Sequence, residues 1–212
     1  MLQTLPFNDH VADYEEWFDK HQFIFQSEVL AIRELLPKEE NLRGLEIGTG
    51  TGRFADALGI KEAVEPADNM RKAAMKRGIK VHDAEAEHLP FDNNSFDYVL
   101  MAFCISYFNS LQLAFEEAYR VLKPGGSLIV GFIDNESMIG KEYEARRKFS
   151  VFYKDANFYS PETLITELKH AGFDRFLFVQ TLFGSLDNIE EAQVPKKGFG
   201  EGSFVVIKAQ MK

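Results

Sequence analysis

The chain has 212 residues, 45% hydrophobic, 27% charged and 13% aromatic, with 24 Lys+Arg against 33 Asp+Glu and a formal charge of −9. That composition buries a core without disulfide or metal staples and excludes a disordered or fibrous chain. The acidic balance repels phosphate backbones, so no nucleic-acid partner is expected.

The opening "MLQTLPFNDH" has no basic region followed by an apolar run, so no signal peptide is expected. No uninterrupted apolar run approaches the ~20 residues of a membrane span, and no membrane partner is expected. Residues 11–36 read as helical, with "NDH" ahead as a cap and Pro37 behind as a stop. Tyr14, Trp17, Phe18, Phe23 and Phe25 crowd this helix. A regular alternation then begins. "LRGLEI" (42–47) reads as a buried strand, 51–58 as a short helix, and "EAVEP" (62–66) as a second strand. Asp68 or Asn69 caps the next helix, with Met70, Ala73 and Ala74 at helical spacing and Gly78 as its stop. "IKVHD" (79–83) and "FDYVLMAF" (96–103) are strands three and four.

Ser110 caps a helix with Leu111, Ala114, Phe115, Ala118 and Leu122 on one face, and "GSLIVGFI" (126–133) is the fifth strand. Residues 134–159 read as irregular. Ser160 and Pro161 open a helix that Gly172 ends. "RFLFVQTL" (175–182) and "GSFVVIKA" (202–209) close the chain as strands that pair antiparallel at one edge. The predicted class is α/β: a Rossmann-like, seven-stranded, mostly parallel sheet with helices on both faces and the last strand antiparallel. Right-handed crossovers leave a crevice above the C-terminal end of the first strand.

At that crevice lies "GLEIGTGTGRFA", with Gly48, Gly50 and Gly52 two apart. Glycine costs conformational entropy, so three of them where a strand ends point to a ligand pressed against the main chain. Glu65, at the end of the second strand, suits a pair of ribose hydroxyls and stands at about the spacing of a nucleotide-binding unit. Counted from Gly48, the third small residue of a dinucleotide fingerprint falls on Arg53; counted from Gly50, "GTGRFA" fits it. The glycines alone therefore leave a nicotinamide cofactor open. Glu46, two residues before Gly48, disfavours a pyrophosphate and favours a ligand bearing an ammonium group.

"EIGTGTG", "LPFDNNSFDYV" and "RVLKPGG", in this order and spacing, resemble the class I S-adenosylmethionine-dependent methyltransferases, in the branch of the ubiquinone and menaquinone C-methyltransferases. The resemblance covers 42–133 closely and the order of elements extends it over most of the chain. It implies one methyltransferase domain over 1–212, with a helical cap (1–40), a cofactor-binding core (42–133), a lid and acceptor segment (134–159), and a C-terminal helix with edge strands (160–212). It implies S-adenosylmethionine as cofactor. Gly48, Thr49, Gly50 and Gly52 would cradle its methionine part, with Glu46 near the ammonium. Glu65 and the adjoining Pro66 would lie at the ribose, and Met70 would pack near the adenine. Glu85 stands where the family commonly has an Asp beside the adenine amino group, which makes Asp83 a rival, and Ala86 would offer its N–H to a ring nitrogen. Met101, Ala102 and Phe103 would flank the methyl group.

Methyl transfer from a sulfonium is an in-line displacement for which alignment alone supplies roughly 7–11 kcal/mol, so a catalytic base is needed only for a nucleophile protonated at neutral pH. Tyr107 is the candidate base; His88 reads as a surface residue and Cys104 as packing. The five histidines lack metal-ligand spacing, and no metal is expected. The single cysteine fits a reducing compartment, so a cytoplasmic protein is expected. Tyr14, Trp17, Phe152, Tyr153, Phe158 and Tyr159 are candidates for an aromatic lid over a small-molecule acceptor: an amine, phenol or heterocycle. Two other readings compete, a nicotinamide oxidoreductase and a regulatory protein that binds the cofactor without turnover.

Overall fold

The computed structural model describes residues 5–211; residues 1–4 of the expected N-terminal cap, and residue 212, lie outside them. The elements in chain order are α1 (Leu5–Asp9), α2 (Val11–Lys20), α3 (Gln22–Leu35), β1 (Gly44–Ile47), α4 (Arg53–Leu58), β2 (Glu62–Val64), α5 (Asp68–Lys76), β3 (Lys80–His82) and β4 (Phe96–Ala102). They continue as α6 (Leu111–Val121), β5 (Leu122–Ile133), α7 (Met138–Arg146), α8 (Pro161–His170), β6 (Phe173–Thr181), β7 (Lys196–Lys197) and β8 (Phe204–Met211).

The strands form one sheet in the order β3-β2-β1-β4-β5-β8-β6-β7. β3, β2, β1, β4 and β5 run parallel; β8 is antiparallel to both β5 and β6. Both faces are covered, so the central strands are continuously apolar rather than alternating. Along β4, Val99 and Met101 join the core beneath α6 and α8, while Leu100 and Ala102 join the core that contains Ile32 of α3 and Phe54 of α4. β1 lies between β2 and β4, so the chain leaves it in one direction and returns on its other side. That reversal opens the crevice at the C-terminal ends of the parallel strands.

Several details depart from the sequence reading. The sheet has an eighth strand, the two-residue β7, whose exposed lysines guard the edge against further pairing. The helix expected over 11–36 is broken at His21, whose ring nitrogen bonds the Trp17 carbonyl at 2.7 Å. Residues 134–159 are not wholly irregular: the Ser137 hydroxyl accepts from Gly140 N–H and starts α7. Ala67, not Asp68 or Asn69, is the N-cap residue of α5. β5 begins at Leu122, since the Pro-Gly-Gly segment bulges between the Phe96–Leu122 and Tyr98–Ser127 pairings. The caps by Ser110 and Ser160 are as expected, each hydroxyl accepting a backbone N–H three residues on.

Gly140 gives a test of packing against helix propensity. A Cβ there would collide with the Asp134 carbonyl oxygen and lie 2.8 Å from Asn135 Cα, both backbone atoms. Alanine favours a helix over glycine by ~1 kcal/mol, yet Gly140→Ala should destabilise the protein by roughly 1–3 kcal/mol through overpacking. Urea unfolding measures it; a neutral or stabilised variant contradicts the packing of α7 on that backbone.

Candidate functional site

A cavity of about 430 Å³ lies along the C-terminal edge of the sheet, within the size range of small-molecule sites. On its β1–β3 side it is lined by Gly48, Gly50, Glu65, Pro66, Met70, Glu85 and Ala86. Ala102, Phe103, Cys104 and Tyr107, at and just past the end of β4, line its middle. Ile133, Tyr143, Leu182 and Glu28 line it on the β5–β6 side.

The three loop glycines have different reasons to be glycine. All three have positive φ: +66° at Gly48, +56° at Gly50 and +83° at Gly52. A Cβ on Gly48 would sit 2.5 Å from Cys104 Cβ, and one on Gly52 would sit 2.6 Å from Ile79 Cδ1. These two let the loop pack against the protein's own side chains. A Cβ on Gly50, which lines the cavity, would have the Tyr14 ring as its nearest neighbour, the hydroxyl at 3.3 Å. The open cradle is therefore centred on Gly50.

Not every residue picked from the sequence reaches the cavity. Glu46, Thr49, Gly52 and Met101 are absent from its lining. Thr49 turns its hydroxyl to Glu46 Oε2 and donates a short hydrogen bond. Met101 is fully buried in the core under α6 and α8, because β4 alternates and its cavity-side neighbour is Ala102. Asp83 is exposed and paired with Arg71, whereas Glu85 lines the cavity. His88 is exposed and outside it.

Two carboxylates lie under the loop. Glu46 is 1% exposed and accepts from the Thr49 hydroxyl. Burial pushes its carboxyl up to about 8, with the Glu65 charge adding to the rise. Glu65 is held in place by Gly50 N–H and Ala67 N–H, each at 2.8 Å, and burial raises it too. Both neighbours act on Tyr14: desolvation first, then the charges of Glu46 and Glu65, hold its phenol protonated. Burial likewise keeps the Tyr107 hydroxyl and the Cys104 thiol protonated, and the thiol contacts the Ile47 carbonyl at 3.1 Å.

An aromatic roof covers the crevice. Phe7 packs edge-on to Tyr107 at 4.8 Å and lies 5.3 Å from Phe152, which is 6.0 Å from Tyr14. Tyr14, Trp17, Phe152, Tyr153 and Phe158 all line the cavity; Tyr159 does not, because it bridges to Asp134 and packs on the α6–α8 core. Arg53, the residue that spoiled one dinucleotide register, reaches Glu15 at 2.7 Å and Asp19 at 2.7 Å and ties α2 over the loop. Arg77 joins Glu15 at 2.8 Å. Phe7, Glu28 and Tyr143 are lining residues that sequence reasoning missed. Glu28 lies in a helix whose pattern reads as core on one side and solvent on the other, so nothing local separates it from a surface acid.

Among the described residues no group of three or more His, Cys, Asp or Glu side chains is placed to hold a metal ion. No helix there is long and apolar enough to cross a membrane.

The sequence model of the methyltransferase domain family matches residues 45–130, which run from β1 into β5. An uncharacterized protein of Methanocaldococcus jannaschii is 44% identical over 204 residues, 96% of this chain and 98% of its own length. A crystal structure from Thermotoga maritima, described as an S-adenosylmethionine-dependent methyltransferase and possible histamine N-methyltransferase, superposes with a TM-score of 0.95 at 47% identity. The match covers 98% of this chain and 99% of that one. The ubiquinone/menaquinone biosynthesis C-methyltransferase of Sinorhizobium fredii is 37% identical over 109 residues, 44% of this chain and 42% of that protein.

The buried Glu46 sets a pH dependence. Its folded-state value of about 8 lies above the ordinary 4.5, so the empty protein takes up the proton that the unfolded chain has lost. The resulting penalty is absent below about 4.5 and complete above about 8. Glu62, held down to about 2 by Arg43, Lys80 and His82 despite burial, acts in the opposite sense and only at acid pH. Stability from chemical unfolding should therefore fall between those two pH limits, and Glu46→Gln should flatten the fall. Parallel profiles for the two proteins contradict the burial of an ionisable Glu46.

Proposed function

The chain belongs to the class I S-adenosylmethionine-dependent methyltransferases, and from that premise we propose that it methylates a small molecule enclosed beneath the aromatic roof. When bound, the cofactor supplies a methyl group on a positively charged sulfur that a lone pair displaces in line. The observation that carries the reading is the Gly50 cradle backed by two buried acids whose partners are a hydroxyl and backbone N–H groups. Two acids that can ionise against an ammonium, and a cavity lining without a basic side chain among the described residues, argue against the diphosphate of the nicotinamide alternative.

In this reading the residues divide by what they touch. Gly48 and Gly50 face the amino-acid end through their backbone, and Thr49 keeps Glu46 aimed behind it. Glu65 has lone pairs left after its two N–H bonds and accepts from ribose hydroxyls. Pro66, Met70, Glu85 and Ala86 surround the adenine, and Ala102 and Phe103 border the methyl group. Gly52 and Met101 support the loop and strand from behind. The buried Tyr107 phenol, held protonated, accepts or donates a hydrogen bond but is a poor base. The acceptor therefore arrives with a free lone pair, as a neutral amine or ring nitrogen does, and alignment with exclusion of water does most of the catalysis.

Thermal melting with S-adenosylhomocysteine, S-adenosylmethionine and NAD tests the cofactor. A ligand at ~100 times its Kd adds ~2.7 kcal/mol of stability; a shift with NAD alone overturns the reading. Gly50→Ala, strained by its positive φ alone, should still fold yet lose at least tenfold in S-adenosylhomocysteine affinity, whereas Gly48→Ala adds a clash with Cys104 to the same strain and should be destabilised further. Equal behaviour of the two variants contradicts the division between cradle and packing. Transfer of a labelled methyl to an amine, phenol and heterocycle panel tests turnover, and binding without transfer favours a regulatory protein. Tyr107→Phe should keep kcat within about tenfold; a loss of about a hundredfold or more makes Tyr107 the base.

A further inference from the structure

At the β5–β6 side of the cavity stands a carboxylate that the cofactor reading does not use. Glu28, on α3, is 2% exposed and lines the cavity, and its Oε2 has no hydrogen-bond partner. α3 packs on β6 and β8, whereas the glycine loop follows β1, so β4 and β5 intervene between them in the sheet. An unpaired buried carboxylate is costly, and an apolar side chain of like volume would serve the fold better. Aromatic rings line the same cavity. Tyr143 and Tyr153 stack at 4.7 Å and 24°, and Phe158 lies 5.9 Å from Tyr153. Ring faces attract cations, most strongly where water is excluded.

We propose that Glu28 is the acceptor-recognition residue of the enzyme: with Tyr143, Tyr153 and Phe158 it binds the ammonium group of a small amine whose other end presents the nucleophile toward the glycine loop. The inference rests on the methyltransferase reading and adds to it the class of acceptor. Tyr153 joins the two halves of the cavity, since it stacks on Tyr143 on one side and lines the same cavity as Tyr14 and Tyr107 on the other. An ammonium supplies both the charge and the N–H donors that the empty carboxylate lacks. A phenol or uncharged heterocycle supplies a donor alone and leaves the charge unbalanced. Binding transfers no atom: the carboxyl gives up its proton to solvent and the ammonium takes its place.

Calorimetric titration of the protein saturated with S-adenosylhomocysteine tests this, using three amines and their deaminated counterparts: tyramine with 4-ethylphenol, tryptamine with 3-ethylindole, and histamine with 4-ethylimidazole. Wild type should prefer at least one amine over its counterpart by tenfold or more. Glu28→Gln should lose that preference and keep its affinity for S-adenosylhomocysteine. Glu28→Leu should melt at or above the wild-type temperature, which a structural role for the carboxylate would not allow. The proposal is overturned if no amine is preferred, if Glu28→Gln still discriminates, or if Glu28→Leu fails to fold. Loss of S-adenosylhomocysteine binding by wild type itself would instead overturn the methyltransferase reading.

Discussion

Burial of carboxyl groups to which no basic side chain is bonded is the constraint around which this molecule is arranged. Glu46 and Glu65 are withdrawn from water at the C-terminal edge of the sheet, and the groups bonded to them are backbone N–H donors and a threonine hydroxyl. Elsewhere the chain pairs its acids with basic side chains: Glu62 with Arg43, Lys80 and His82, Asp97 with Lys123, Glu117 with Arg120. The contrast is chemical. These three acids receive a guanidinium, an ammonium or an imidazole; Glu46 and Glu65 do not, and the deficit is what a zwitterionic, ribose-bearing cation can fill.

The rest of the fold holds that deficit open. Chain reversal between β2, β1 and β4 creates the crevice, and left-handed backbone at the three loop glycines bends the chain beneath it. Two of those glycines spend their missing Cβ on close contact with Cys104 and Ile79, which fixes the loop, and the third leaves room beside it. The cap is then held by Arg53 and Arg77, both converging on Glu15, and by Asn8 meeting Asn69 through two hydrogen bonds of 2.9 Å. The ring cluster of Phe7, Tyr14, Tyr107 and Phe152 narrows the access of water to the crevice. Burial keeps these phenols protonated and strengthens each electrostatic contact inside.

Much of this was legible before any coordinates. The alternation of strands and helices, the caps at Ser110 and Ser160, and the placing of Gly48, Gly50, Glu65, Met70 and Ala86 along the cavity follow from local patterns with strong periods or motifs. What escaped was decided by particular side-chain contacts and facings rather than by propensity. His21 breaks a helix through a ring-to-carbonyl bond that no propensity encodes. Met101 looked like a cavity residue by its position after a motif, yet strand alternation turns it to the opposite face. Arg53 appeared only as a misfit in a fingerprint, because its partners lie more than thirty residues away on α2. Glu28 was invisible for the same reason: its isolation is a property of the folded cavity, not of its neighbours in sequence.

The crevice acids stand ready to ionise against a cation. Isothermal titration with S-adenosylhomocysteine near neutral pH, run in two buffers of different ionisation enthalpy, measures that ionisation directly. The ammonium should drive the proton off Glu46, so wild type should release protons on binding, and Glu46→Gln should release far fewer. An apparent enthalpy that is the same in both buffers, or release that survives the substitution unchanged, would contradict the account.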